Sequence, residues 1–157
     1  MKVLVAIQDD KCVDVLGAYM RNYPWPTPVE FKVLHVIHPV RVNSYMSLLP
    51  APLTDNIAAQ RKKEGESVVK RLAEQLRESY PGVPVTEAIL EGDAKSEIVD
   101  QLNDWNADLV LLGSHGKHGL MGSVSRTVVA HSPCSAMVVP VEGHDRKASK
   151  EKIHIIV

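Results

Sequence analysis

Unbroken apolar runs alternate along this chain with segments whose apolar residues recur every three or four positions. Lys2–Ile7 and Val29–Ile37 are runs of the first kind, the pattern of strands buried on both faces. Between them Val13, Leu16 and Met20 form one helical stripe behind Asp9 or Asp10 as N-cap. The prolines of Tyr23-Pro-Trp-Pro-Thr-Pro28 end that helix, because proline cannot continue one. His38-Pro39 closes the second strand, and residues 39–53, with Pro39, Pro50 and Pro52, read as an irregular surface excursion. Thr54 is expected to cap a long helix through Tyr80, with Val68, Val69, Leu72, Ala73 and Leu76 as its apolar stripe. The charged run Arg61 to Glu66 reads as its solvated face, and Pro81-Gly82 as its stop. A third strand over Val83–Leu90 follows. The Gly92-Asp93 turn then leads into a helix carrying Ile98, Leu102 and Trp105 on one face. A fourth strand spans Ala107–Leu112, a short helix runs from Ser123 to about His131, and Ser135–Pro140 is the fifth strand. After a polar linker, Ile153-His-Ile-Ile-Val157 reads as a further strand that needs a partner edge, in its own sheet or another subunit's.

Strands alternating with helices imply βαβ units, a mainly parallel sheet and right-handed crossovers. Such sheets bind ligands at the carboxyl ends of their strands, where the strand order reverses. The loops after strands one and four flank that point if those two strands are neighbours.

The loop after strand four carries the densest signal. In Leu109-Val-Leu-Leu-Gly-Ser-His-Gly-Lys-His-Gly-Leu-Met-Gly-Ser-Val124 the apolar run stops at Gly113, and Gly116, Gly119 and Gly122 follow before Ser123 opens the helix. Glycines let backbone turn sharply and approach a ligand, and the free N–H groups of a helix N-terminus attract an anion. The local physics therefore proposes a phosphate site. The spacing is neither a Gly-x-Gly-x-x-Gly fingerprint nor a Walker loop, and a βα loop with turn glycines and no ligand fits it equally.

The 157 residues suffice for one domain with a proper core, and 45% apolar with 24% charged residues is ordinary for a globular chain. A net charge of −1 offers no general attraction to nucleic acid or anionic membrane, and no apolar run approaches a membrane span. The N-terminus enters a strand instead of a signal peptide. The expected location is cytoplasmic, with neither nucleic acid nor membrane as partner. Cys12 and Cys134 lack metal-like spacing and read as reduced packing residues.

Together these stretches resemble the universal stress protein family over residues 1–140. The matching residues are Val3-Leu-Val-Ala-Ile7, Val33-Leu-His-Val-Ile37, the Glu91-Gly-Asp turn, Ala107-Asp-Leu-Val-Leu-Leu-Gly-Ser-His-Gly116, Gly122-Ser-Val-Ser125 and His131-Ser-Pro-Cys-Ser-Ala-Met-Val-Val139. The resemblance implies an α/β fold, a Rossmann-like three-layer sandwich whose five-stranded parallel sheet has order 3-2-1-4-5, here with a possible extra C-terminal strand. It implies one domain over 1–140, followed by a tail at 141–157. It also implies a homodimer, usually through strand five, and in many members binding of ATP or AMP with Mg²⁺. Carried onto this chain, the phosphates and ribose would meet Gly113, Gly116, Gly122 and Ser123, helped by backbone at Leu112 and Val124. Val36 would lie beside adenine, and Gln8, the residue after strand one, would face the nucleoside.

Two departures from the family pattern stand out. Only Lys117 to Met121 separate Gly116 from Gly122 where the motif has nine residues, so the phosphate loop is shortened by about one helical turn. Gln8-Asp9-Asp10 stands where Asp-Gly-Ser is common, which sets two carboxylates near the phosphate region. Asp9 and Asp10 are weak Mg²⁺ candidates there. Lys117, and His115 or His118 if protonated, would offset anionic charge; the plainer expectation is that His115 holds its turn by a backbone hydrogen bond. The leading expectation is a homodimeric, adenine-nucleotide-binding stress-response regulatory protein. The alternative is a member of the same family that binds no nucleotide and acts as an interaction module on an unidentified protein partner. No enzyme constellation is present: Ser114 and His115 are adjacent in sequence, which is not how a nucleophile and its base are arranged.

Overall fold

The computed structural model describes residues 1–39, 51–115, 121–141 and 154–156. Its elements are β1 (Lys2–Ala6), α1 (Asp10–Asn22), β2 (Glu30–Ile37), α2 (Ala51–Ser79), β3 (Val85–Glu91), α3 (Ala94–Asp104), β4 (Leu109–Ser114), α4 (Ser123–His131), β5 (Ser135–Pro140) and β6 (His154–Ile156). The sheet order is β3-β2-β1-β4-β5-β6. The first five strands are parallel, as expected, and β6 lies antiparallel on the outer edge of β5, pairing Ala136 with Ile156 and Val138 with His154. The extra strand thus completes the sheet of its own chain.

Alternate residues of each strand serve opposite faces. Val3 and Val5 join Phe31, Val33, Leu109, Leu111 and Met137 beneath α1 and α2. Leu4 and Ala6 join Leu34, Val110, Leu112, Ala136 and Val138 beneath α3 and α4. The stripes Val13, Leu16, Met20 and Val69, Leu72, Ala73, Leu76 are buried, as their spacing requires. Aromatic residues close the end of the sheet where the strands begin. Tyr80 Oη and Trp25 Nε1 both donate to the Met20 carbonyl, at 2.5 and 3.0 Å, and so join the Tyr23 N–H, at 3.3 Å, on an acceptor in the last turn of α1. The proline-rich segment that stops α1 therefore also supplies its cap, with the Trp25 ring edge-on to buried Phe31.

Two sequence expectations are corrected. α2 starts at Ala51, so Thr54 lies inside the first turn instead of capping it; Pro52 is tolerated there because the first helical N–H groups need no partner within the helix. Residues 40–50 of the expected excursion lie outside the described residues. Gly113 does not end the fourth strand: β4 starts two residues later than expected, at Leu109, and runs on to Ser114, with Gly113 paired to Val139 and Ser114 to Pro140. The neighbouring β5 sets this extent, and composition alone does not reveal it. Among the described residues no helix is long and apolar enough to cross a membrane.

Leu72 is fully buried between α2 and the sheet. Leu72→Ala is expected to lower unfolding free energy by about 2–5 kcal/mol in urea titrations, whereas Tyr80→Phe, which removes one of three donors to the Met20 carbonyl, is expected to lower it by only about 0.5–1.5 kcal/mol.

Candidate functional site

Parallel pairing of β1 with β4, Val3 to Leu109 through Ala6 to Leu112, brings their carboxyl ends side by side. Right beyond them the chain leaves toward opposite faces, α1 on one side and α4 on the other. The crevice between is a cavity of about 390 Å³, within the usual range for small-ligand sites. Gln8, Val36, Leu112, Gly113, Gly122, Ser123 and Val124 all border it. Every residue that the sequence assigned to the nucleotide except Gly116 therefore lines one space. Gly116 lies outside the described residues, as do Lys117 and His118.

The cavity has two kinds of wall. Leu34, Val36, Ala94, Ile98 and Leu112 make an apolar side. The other side is the start of α4, whose N-cap is Gly122 (φ −62°, ψ 164°) and which has no side-chain cap. Serine, threonine or aspartate at that position would occupy one free donor of the first turn; glycine leaves it available. The loop is tied down by Ser114 Oγ, which accepts from the Gly122 N–H at 3.0 Å, and by Ser125 Oγ, which donates to the Gly113 carbonyl at 3.1 Å. Both serines are buried.

Gly113 has a packing role that its sequence position did not announce. A Cβ built there would lie 2.8 Å from Cys12 Sγ and 2.8 Å from Val141 Cγ2. Its bare backbone gives the cysteine and the end of β5 somewhere to sit. At Gly122, by contrast, a Cβ would meet nothing within 4 Å.

The two aspartates after β1 diverge. Asp9 is the N-cap of α1, where Oδ1 accepts from the Cys12 N–H at 2.9 Å. Asp10 turns away to α2: its Oδ1 lies 2.6 Å from Arg71 Nη1, and Arg71 also holds Asp14. Asp10 is therefore already engaged outside the cavity, and the two carboxylates do not form an Mg²⁺ pair. The remaining Asp9 oxygen, Oδ2, lies 3.3 Å from His115 Nε2, and Cys12 Sγ lies 3.2 Å from the same nitrogen. His115 thus reaches, through Nε2, side chains at the start of α1; the turn it was expected to hold by a backbone hydrogen bond lies outside the described residues. Burial pushes the Cys12 thiol above its ordinary pKa, and the neighbouring Asp9 charge adds to this. A sulfur–imidazole–carboxylate set is not a donor set that Mg²⁺ takes.

Sequence reasoning missed Cys12 and His115 as a pair and did not place His38, Ala94 or Ile98 at the cavity. Cys12 and His115 are 103 positions apart, and only the β1–β4 pairing joins them. The available signal was that each lies just beyond a strand whose end faces the switch in strand order.

Comparison with known proteins places these features in context. The profile of the Universal stress protein family matches residues 1–140. Universal stress protein A homolog 2 of Coxiella burnetii is 29% identical over 114 residues, which cover 70% of this chain and 75% of that protein. The structure of a universal stress protein family protein from Arabidopsis thaliana with AMP bound has a TM-score of 0.66 at 22% identity, covering 95% of this chain and 96% of that one. That of the universal stress protein from Archaeoglobus fulgidus in complex with dAMP has a TM-score of 0.61 at 16% identity, covering 88% and 96%.

The crowding at Gly113 is testable by double mutation. Gly113→Ala is expected to destabilise the fold by about 1–3 kcal/mol, and by less in a Cys12→Ala background, where one of the two colliding atoms is gone. Equal losses in both backgrounds, measured by denaturant unfolding, would place the strain entirely at Val141.

Proposed function

The chain belongs to the universal stress protein family, and from that premise we propose that it is a homodimeric regulatory protein that binds an adenine nucleotide between β1, β4 and α4. One observation carries this reading: the residues that the family resemblance assigns to the nucleotide, Gly116 apart, border a single cavity. The relatives solved with AMP and with dAMP support the ligand class. In this reading the adenine takes the apolar wall at Val36, Ile98 and Leu112. Gln8 hydrogen-bonds the ribose or base, and the phosphate takes the first-turn N–H groups of α4. The positive end of that helix favours the anion, and no cationic side chain is required.

The short stretch from Gly116 to Gly122 leaves less chain to surround a triphosphate, and the Asp9 carboxylate stands at the same end. Discrimination between ATP and AMP is therefore small in the absence of Mg²⁺. These same two features favour the second reading, an interaction module that holds no nucleotide. The subunit contact is proposed at the β6 side of the sheet, because β6 is the outermost strand there among the described residues and sheet edges are normally paired or covered.

The test of the ligand is a substitution that removes one donor and keeps the helix. Ser123 is the first helical residue, and Gly122 before it is extended, so proline fits at 123 without breaking α4. Ser123→Pro is expected to weaken AMP binding by about 1.5–3 kcal/mol in calorimetry, the scale of a charge-assisted hydrogen bond, and to leave adenosine binding unchanged. Mass spectrometry of the purified protein is expected to find retained adenine nucleotide; its absence, with no binding of AMP or ATP on titration, would favour the interaction module.

The dimer is tested separately. Removal of residues 142–157 is expected to raise the dimer dissociation constant in sedimentation or light scattering. An unchanged constant would move the contact away from this edge.

A further inference from the structure

Asp9, Cys12 and His115 place a carboxylate oxygen, a sulfur and a ring nitrogen all within 4.8 Å of one another. Two of these atoms, Cys12 Sγ and Asp9 Oδ2, close on one and the same nitrogen, His115 Nε2, at 3.2 and 3.3 Å. This is not the geometry of a proton relay, in which the imidazole uses its two nitrogens for two different partners. A single Nε2–H has one proton and can satisfy one acceptor well. A sulfur, a ring nitrogen and a carboxylate oxygen held mutually within 4.8 Å are close enough together to share one ion. In a tetrahedral zinc site with Zn–S of about 2.3 Å and Zn–N and Zn–O of about 2.0–2.1 Å, neighbouring ligand atoms stand roughly 3.3–3.6 Å apart. The two separations to His115 Nε2, 3.2 and 3.3 Å, are close to that spacing.

We propose that Asp9, Cys12 and His115 form a binding site for one borderline-soft divalent transition ion, Zn²⁺ in the first instance, with a fourth coordination position open to the cavity. Thiolate and imidazole select such ions over Mg²⁺ or Ca²⁺. On binding, the Cys12 thiol releases one proton to solvent, and His115 coordinates through Nε2 as a neutral ring. The ligands are held in advance. Asp9 is fixed as the N-cap of α1 by Oδ1, which leaves Oδ2 to coordinate. Cys12 is buried against the bare backbone of Gly113. His115 is half-buried and directly follows β4. Three protein ligands with one open position is the pattern of zinc sites that hold an exchangeable fourth ligand. Cys12 and His115 line the cavity, so that position faces it, toward water or an anionic ligand oxygen. The ion site stands whether or not the cavity takes a nucleotide.

The test uses the full-length, tag-free, reduced protein and Co²⁺ as a spectroscopic probe for Zn²⁺. One equivalent of Co²⁺ is expected to give a thiolate-to-cobalt charge-transfer band in the near ultraviolet and the intense visible bands of tetrahedral coordination. Zn²⁺ is expected to bleach both at a stoichiometry of one per chain, and Mg²⁺ to leave them unchanged. Cys12→Ala is expected to abolish the charge-transfer band, and Cys134→Ala to retain it. His115→Ala, which alters a loop residue and leaves the core intact, and Asp9→Asn are each expected to weaken Zn²⁺ at least about tenfold in competition with a chromogenic chelator. Absence of the bands in the native protein would overturn the site. So would their persistence in Cys12→Ala, or Zn²⁺ affinity unchanged in both His115→Ala and Asp9→Asn.

Discussion

The parallel pairing of β1 with β4 is the contact on which the rest of this structure depends. The register Val3–Leu109 to Ala6–Leu112 joins parts of the chain more than a hundred residues apart. From β1 the chain continues outward through β2 to β3, then returns across the sheet to β4 and continues outward the other way. The two halves therefore wind in opposite directions from one central seam. Their helices go to opposite faces, α1 and α2 to one and α3 and α4 to the other. No helix can cover the carboxyl ends at the seam, and a crevice is the geometric consequence. The cavity, the exposed first turn of α4 and the Asp9–Cys12–His115 cluster all stand at that crevice.

Missing side chains shape the site as much as present ones. Gly113 and Gly122 belong to one glycine-rich stretch yet act differently. Gly113 is inside β4, where its lack of a Cβ admits Cys12 and Val141. Gly122 has room for a side chain but lacks a capping oxygen, so no N-cap side chain occupies a donor of the first turn of α4. A third glycine away from the site follows the logic of the first. A Cβ at Gly65 would lie 2.7 Å from the His35 ring, so α2 passes closely over β2 while His35 Nδ1 reaches the Ile7 carbonyl at 3.0 Å. That contact fastens the end of β1 from the side opposite the cavity.

The strands and helices were legible in the chain because they rest on strong periodic signals, while the resemblance supplied only part of the cavity wall: Gln8, Val36, Leu112, Gly113, Gly122, Ser123 and Val124. The runs at Val3–Ile7 and Leu109–Leu112 admit only buried strands, and the resemblance over 1–140 fixes which strands are neighbours. The errors fall where a neighbour in space decides. Gly113 looks like a strand end until β5 is laid alongside it. Thr54 is a better cap than Ala51 by composition, yet the helix starts earlier. Asp9 and Asp10 are adjacent and alike in sequence, but the start of α1 sends one carboxylate toward His115 and the other to Arg71. Cys12 and His115 carry no mutual spacing signal because their contact is made through the sheet.

Charge links the cavity to the cluster beside it. Asp9 sets a carboxylate at the end of the crevice where a phosphate would approach α4, and two like charges in a part-buried place repel. The helix terminus opposes this with only about half a positive charge. A divalent ion on the carboxylate and the thiolate would offset the carboxylate's charge, since its two positive charges match the two negative ligands. The same ion would turn the cluster from a repeller of phosphate into a potential partner for it through the open coordination position. A site that is marginal for an anion by its protein charges alone would then respond to the availability of the metal. The coupling would run both ways, because whatever ion favours the anion is itself favoured by it to the same degree.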